Sequence, residues 1–302
     1  MSNYLPTFER LMKKRLFKKL SWKKIGILII IIASLITIKD QVEFSLGIGP
    51  WSDDGYFDEI MSEDVPALEG DCNTFGIELH GELMTYITPN SFDADGNLTY
   101  DESASENIVS TIDQAMNDDS IKAIILEVDS YGGSPVAAEE IANVMRRATK
   151  PIVVLVRSAA MSAAYWASTG ADIIFASTLS DVGSIGVSMS YLDNSRKNTN
   201  DGLTYNSLST GKFKDYGDPN KALTYEEREL LMRDLNIMHD DFIKAVAENR
   251  NLDINKVRQL ADGSSMPGRM ALEAGLIDRI GGTFEVKEYL KEIIQEDIDI
   301  CW

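Results

Sequence analysis

The stretch that decides the fold is Ala123 to Val156, AIILEVDSYGGSPVAAEEIANVMRRATKPIVVLV. Ala123 to Val128 is a short apolar run, which reads as a buried strand. Gly132 and Gly133 interrupt it. Ser134-Pro135 then supplies a capping serine and a proline suited to a first helical turn, so a helix is expected to about Thr149. Pro151 to Val156 is a second apolar strand. Working outward, Phe75 to Leu79 reads as a strand, and Ile108, Val109, Ile112, Ala115 and Met116 recur at helical spacing. Ile173 to Ala176 is another strand. Thr224 with Glu227 three residues on is a capping box, and opens a helix expected to reach about Asn249. Repeated strand–helix alternation predicts an α/β domain with largely parallel pairing. No internal repeat is present.

The 302 residues are 44% hydrophobic and 25% charged, a composition of an ordered globular protein. The formal charge of −19 is unevenly spread. Residues 1–24 hold eight Lys/Arg against Glu9, a balance of +7, which leaves −26 on the remainder. So acidic a body repels phosphate backbones, and nucleic-acid binding is not expected. Two cysteines, Cys72 and Cys301, exclude a disulfide-rich scaffold and a cysteine-based zinc cluster; whether they pair is open. Two histidines, His80 and His239, leave little material for a histidine-rich metal site or a Ser-His-Asp triad. Both read as packing or surface residues. A hydrolase built on this chain needs another base.

Ile25 to Ile38 is an uncharged run of 14 residues. As a helix it spans about 21 Å, against roughly 30 Å of hydrocarbon. Its flanks decide: the basic segment 1–24 precedes it, Lys39-Asp40 closes it, and no A-x-A cleavage site follows. A single-pass transmembrane signal anchor over 25–39 is expected at the cell's inner (plasma) membrane. It leaves the basic end cytoplasmic and the acidic body on the periplasmic or extracytoplasmic side. A cleaved signal or a soluble helix are the alternatives. Residues 40–72 read as an acidic stalk, 73–285 as the folded domain and 286–302 as an acidic amphipathic tail.

Three segments could carry chemistry. Asp129 to Pro135 puts two glycines between a strand and a helix, where backbone N–H groups can approach a ligand oxygen. Val156 to Ser168 ends a strand, passes through small residues and starts a helix near Ser162, where a serine can serve as nucleophile. Leu208 to Asp215 places Lys212 and Lys214 in an otherwise acidic body, and a desolvated lysine can act as a general base. Each has a plain structural reading: a turn, a helix cap, two surface lysines. Ser91 to Glu102 fits a calcium loop at Asp93, Asp95, Gly96 and Glu102, but Ser91 replaces its first aspartate, and an acidic surface loop is the simpler reading.

Taken together, Asp129–Gly133, Ala159–Tyr165, Gly183–Val187 and Thr210–Asp215 resemble, in order and spacing, the motifs of the SppA-type signal peptide peptidases, membrane-bound serine peptidases of the ClpP/crotonase superfamily. Ala261–Gly263, Met270–Leu272 and Gly275–Gly282 resemble that family's closing motif. The resemblance covers about residues 73–285 and implies a repeated strand-strand-helix fold. It implies Ser162 as nucleophile, Lys214 as base with Lys212 at a variable position, and Ser184 supporting the base. Gly133 and the N–H of Ala163 would form the oxyanion hole, with Gly132 shaping the turn. Ser162-Ala163-Ala164 departs from the usual Ser-Gly-Gly, and Tyr131 replaces a common proline. Alanine carries the same N–H but resists positive φ, so the hole is intact only if the segment is already helical. Asp215 beside Lys214 would favour the charged lysine unless the chain is extended there and the two face opposite sides.

The resemblance implies an endopeptidase with a Ser-Lys dyad that cuts hydrophobic peptides such as remnant signal peptides. It needs no metal or cofactor, and forms a ring-like homo-oligomer in which the dyad can be completed across subunits. The alternative is a non-catalytic, membrane-anchored assembly or binding protein that keeps the same fold. An acyl-CoA enzyme is disfavoured by export and by the acidity of the body.

Overall fold

The computed structural model describes residues 72–87 and 101–302. The basic segment, the anchor and the stalk up to residue 71 lie outside the described residues, as does most of the loop Ser91–Glu102. Among the described residues no helix is long and apolar enough to cross a membrane.

The expected strands form one mixed sheet. Its main path runs β2 (Glu102–Ala104), β1 (Thr74–Met84), β3 (Ala123–Gly133), β4 (Ile152–Met161), β5 (Ile173–Ala176) and β8 (Arg279–Ile280), each pair parallel. β6 (Asp181–Gly183) pairs parallel with β4, β7 (Ser265–Pro267) runs antiparallel to β6, and β9 (Ile300–Cys301) lies parallel to β1. The helices are α1 (Ser105–Asn117), α2 (Pro135–Arg147), α3 (Ala163–Ser168), α4 (Ser195–Asn200), α5 (Tyr225–Asn249), α6 (Ile254–Leu260), α7 (Gly268–Ala274) and α8 (Thr283–Ile294).

β3 is buried throughout Ala123–Val128 because both sheet faces are covered, the usual state of parallel strands. Ile124, Leu126, Val128 and Val154 enter the larger core with Ile112 of α1 and Ile141 of α2. Ala123, Ile125, Val153, Leu155 and Phe175 face the other way and meet Val286 and Leu290 of α8. Fully burying each such aliphatic side chain contributes about 1.5–3 kcal/mol. Residues 286–302, expected as a tail, thus complete α8 and supply β9. Cys72 and Cys301 are disulfide-bonded, which ties β9 to the start of β1.

The caps follow the sequence. The Ser134 hydroxyl accepts from the Ala137 N–H, and Thr224 and Glu227 form the reciprocal box that starts α5. His80, expected at a strand end, lies within β1 with Nε2 3.4 Å from the Glu127 carboxylate.

One feature of the sheet builds the site. β4 pairs with β5 through Val153–Val156, then with β6 through Ala159–Met161. This hand-over brings the ends of β3, β4 and β6 side by side.

Candidate active site

Ser130 of β3 pairs with Ala160, and Met161 pairs with Gly183. The residues just beyond, Gly132-Gly133, Ser162-Ala163 and Ser184, therefore meet at the carboxyl end of the sheet.

Ser162 is the single residue between β4 and α3, with φ 50° and ψ −125°. An L-residue with a Cβ is strained in such a conformation, at a cost of about 1–3 kcal/mol. The surroundings hold it there. Its N–H donates to the Gly183 carbonyl at 2.8 Å, and its carbonyl accepts from the Trp166 N–H at 3.0 Å. α3 is fixed in turn: the Tyr165 hydroxyl, fully buried, donates to the Leu276 carbonyl at 2.9 Å. Burial pushes that phenol's pKa well up. Trp166 stacks on Phe242 of α5, ring centroids 5.0 Å apart and 13° from parallel.

The departure at Ala163-Ala164 resolves simply. Both alanines lie in α3, and neither has positive φ; the left-handed φ falls on Ser162 itself. Alanine therefore fits, and the Ala163 N–H is one of the first-turn donors that a helix leaves without an intrahelical partner.

Gly132 has φ 122° and Gly133 has φ 154°. A Cβ on Gly132 would stand 2.8 Å from the Ser162 Cβ and 3.3 Å from the Ala163 nitrogen, and one on Gly133 would overlap the Leu83 carbonyl. Only glycine lets these strand ends approach so closely. Buried Ser130 pins the turn, donating to the Gly81 carbonyl at 2.5 Å and accepting from the Gly132 N–H at 3.1 Å. Tyr131 is 74% exposed and does not line the cleft.

Ser184 also has positive φ, 51°. Its N–H donates to the Ser264 carbonyl and its hydroxyl to the Gly263 carbonyl, both at 3.0 Å. Ser162, Ala163, Gly133 and Ser184 line a cleft of about 710 Å³, ample for several side chains. Trp166, Leu235, Met238 and Phe242 make its apolar wall.

Lys214 is not brought to this cleft within the chain, contrary to a dyad formed by one copy. It is exposed in the turn 212–217, where its N–H donates to the Gly211 carbonyl at 3.1 Å. The physical reason is that residues 188–223 leave the sheet and contain a single short helix, α4. The turn rests on Lys221, whose ammonium bridges Asp215 at 3.2 Å and the buried Glu227 at 2.5 Å. Asp215 thus pairs with Lys221, and the chain forms a turn here rather than the extended stretch that would have separated Asp215 from Lys214. Hydrogen bonds from Ser207 and then Lys221 hold its carboxyl below the ordinary range. Lys212 pairs with Glu226 at 2.7 Å on the surface.

Sequence reasoning missed the α5 contribution. Leu235, Met238, His239 and Phe242 line the cleft at i, i+3, i+4 and i+7, one helix face. The periodicity was visible, but nothing in it said which surface the face would meet. His239 is consequently a cleft residue, not an incidental one. Among the described residues no group of three or more His, Cys, Asp or Glu could hold a metal ion.

Parallel strands that end in a strained serine beside a double-glycine turn, on the floor of an open cleft, define an α/β scaffold with a candidate site at the carboxyl end of its sheet. The chain belongs to peptidase family S49, whose profile matches residues 145–296. It is 36% identical over 187 residues to a candidate protease of Methanocaldococcus jannaschii, covering 61% of this chain and 60% of that protein. It is 34% identical over 190 residues to a candidate signal peptide peptidase SppA of Enterococcus faecium, 62% of this chain and 55% of that one. Against protease 4 of Haemophilus influenzae it is 29% identical over 239 residues, 74% of this chain and 38% of the relative. The chain thus spans less than two thirds of the length of these relatives.

Proposed function

We propose that the chain is a serine endopeptidase whose base is supplied by a second copy. Ser162 attacks the scissile carbonyl and the N–H groups of Gly133 and Ala163 hold the oxyanion. Lys214 of a neighbouring copy takes the serine proton and returns it to the leaving amine; water then releases the acyl group. Gly132 keeps the turn close, and Ser184 stands beside the place the base must enter. The observation that carries this reading is the strained φ of Ser162 on the floor of the cleft, because such strain clusters where function requires it.

The second copy is supported by the segment that bears Lys214. Leu192, Leu203 and Leu208 are 77%, 61% and 100% exposed in one copy, and such apolar surface marks an interface. A ring-like homo-oligomer would cover it and strip water from the lysine, which favours the neutral form a base requires. The apolar wall supports hydrophobic peptides as substrates, and the name of the Enterococcus relative supports remnant signal peptides among them. The basic segment before residues 25–39 supports a membrane anchor with the domain outside the cytoplasm. The Cys72–Cys301 bond suits that compartment.

Lys214 standing outside the cleft in one copy is what a non-catalytic binding protein would also show. A quenched apolar peptide separates the two. Turnover by the full chain, lost at least about a thousandfold in Ser162→Ala, supports the peptidase. A folded, oligomeric wild type that cuts nothing would leave the binding role.

A further inference from the structure

We infer that Asn249 is a positioning residue for the proposed nucleophile: its amide grips the far end of α3 through Thr169, and so fixes the short helix that begins beside Ser162. The inference rests on the peptidase reading above and adds a residue to it.

α3 has only six residues, Ala163–Ser168. A helix of that size is about 9 Å long, so its two ends move together. Thr169 follows it and is buried. The Thr169 hydroxyl donates to the Trp166 carbonyl at 2.6 Å and accepts from the Asn249 Nδ2 at 2.8 Å. The Trp166 N–H in turn donates to the Ser162 carbonyl at 3.0 Å. Three hydrogen bonds thus lead from α5 to the backbone of Ser162, through residues 169 and 166. Bonds in such a series support one another. Asn249 lies seven residues after Phe242, whose ring stacks on Trp166, and two helical turns put both residues on one face of α5. α5 therefore holds α3 at two points. The stack sets their spacing; the bond, which needs both distance and angle, sets their register.

Stability does not explain the asparagine. Its Oδ1 is buried and has no partner among the described residues, a cost that an apolar side chain of like size avoids. Substrate contact does not explain it either, because neither Asn249 nor Thr169 lines the cleft. α3 is packed in place without this bond: Tyr165 is fully buried with its hydroxyl on the Leu276 carbonyl, and Gly170 lies too close to Ala142 for any Cβ. What the amide adds is direction. The Thr169 hydroxyl uses its proton on Trp166 and needs a donor, which an asparagine supplies and an ionised aspartate does not.

The test uses the full chain and a quenched apolar peptide, well below the melting temperature. Asn249→Leu and Thr169→Val should each lower kcat by about tenfold, the effect of a shift of a fraction of 1 Å at the nucleophile, with KM within about twofold of wild type. The double variant should fall no further than either single one, the mark of one shared contact. Asn249→Asp, which has the same shape without the donor, should match Asn249→Leu. Thr169→Ser, which keeps the hydroxyl, should recover most of what Thr169→Val loses. The melting temperature of Asn249→Leu should stay within about 3 °C of wild type. Unchanged kcat in Asn249→Leu, additive losses in the double variant, or losses in kcat that track losses in melting temperature across the set overturn the assignment. If the wild type cuts nothing, hydrogen exchange replaces kcat as the readout. The Trp166 amide should then exchange about tenfold faster in Asn249→Leu than in wild type. That result supports the grip even though the peptidase reading has failed; equal exchange overturns it.

Discussion

The proposed nucleophile and the proposed base sit in two differently built regions. Around Ser162 the protein is closed on itself: strand ends in register, two glycines with no room for a Cβ, a buried tyrosine and a stacked tryptophan. Around Lys214 it is open, a turn in a segment of exposed apolar side chains, held through Lys221. The first region is finished in one copy and the second is not. On the proposed reading, the difference means that the fold pre-organises backbone donors and a nucleophile alone and leaves the proton acceptor to assembly. Activity should therefore depend on oligomerisation far more than folding does.

The strongest test of that contrast is complementation. Lys214→Ala and Ser162→Ala chains should each lose at least about a thousandfold in turnover as pure oligomers. Mixed oligomers place an intact Ser162 beside an intact Lys214 from the other variant. At equal amounts activity should return to about a quarter of wild type, the share of random neighbours with the right pairing. Mixtures that stay inactive although subunits exchange, as seen by energy transfer between labelled chains, would rule out a dyad shared between copies.

Gly132→Ala probes the closed region. Its methyl would press on the Ser162 Cβ at 2.8 Å and require φ 122° of an alanine. A displacement of about 1 Å at a reacting atom can cost on the order of a hundredfold, so a loss of roughly that size in kcat is expected. The proposed oligomer, built through the other region, should remain intact by light scattering. Near-normal kcat would show that the turn has slack.

Much of the closed region was legible in the sequence. Buried strands, Gly132-Gly133, the cap at Ser134 and the small residues around Ser162 are local signals, and each fell where expected. The helical start at Ala163 also shows why the Ala-Ala departure is harmless. What was not legible is tertiary. The partner of Asp215 is Lys221, six residues away across a turn that no local signal at 214–215 announces. The α5 face carried its period plainly, but only the Trp166–Phe242 stack shows that His239 overlooks the cleft. The Cys72–Cys301 pairing needed the adjacency of β9 and β1, the two cysteines lying at a sequence separation of 229.

A smaller effect is expected from Lys221→Met, which releases the Lys214 turn without touching the cleft. Glu227 would be left buried without its cation, and turnover should fall by about tenfold through misplacement of the base. Lys212→Ala, which breaks an exposed pair, should change little. The Lys221 hydrogen bond holds the Glu227 carboxyl below its ordinary range, and the Glu227 bond holds the Lys221 ammonium above its own. The sign follows from linkage: a depressed carboxyl adds stability above its unfolded value and loses it as pH falls through the folded one. Limited proteolysis within 188–223 should therefore accelerate in acid below the ordinary glutamate range, and Lys221→Met should remove that pH dependence. A cleavage rate independent of pH in wild type would mean that another contact holds the turn.

The smallest expected effect concerns strain itself. Ser162 has φ 50° and ψ −125°, close to the first central position of a type II′ turn, where glycine is preferred. Ser162→Gly removes the Cβ that makes this costly, a gain of about 1–3 kcal/mol. It also frees the unfolded chain, a loss of about 0.4–1 kcal/mol. The balance is a stabilisation of about 1 kcal/mol, or roughly 2–4 °C in melting temperature for a domain of this size. Ser162→Ala keeps the Cβ and should melt close to wild type. The difference between the two variants isolates the backbone from the hydroxyl, since both lack the hydroxyl. A glycine variant that melts higher places the strain at residue 162 and nowhere else in that comparison. One that melts lower would mean that the serine conformation is comfortable, and that the closed region owes its geometry to packing alone.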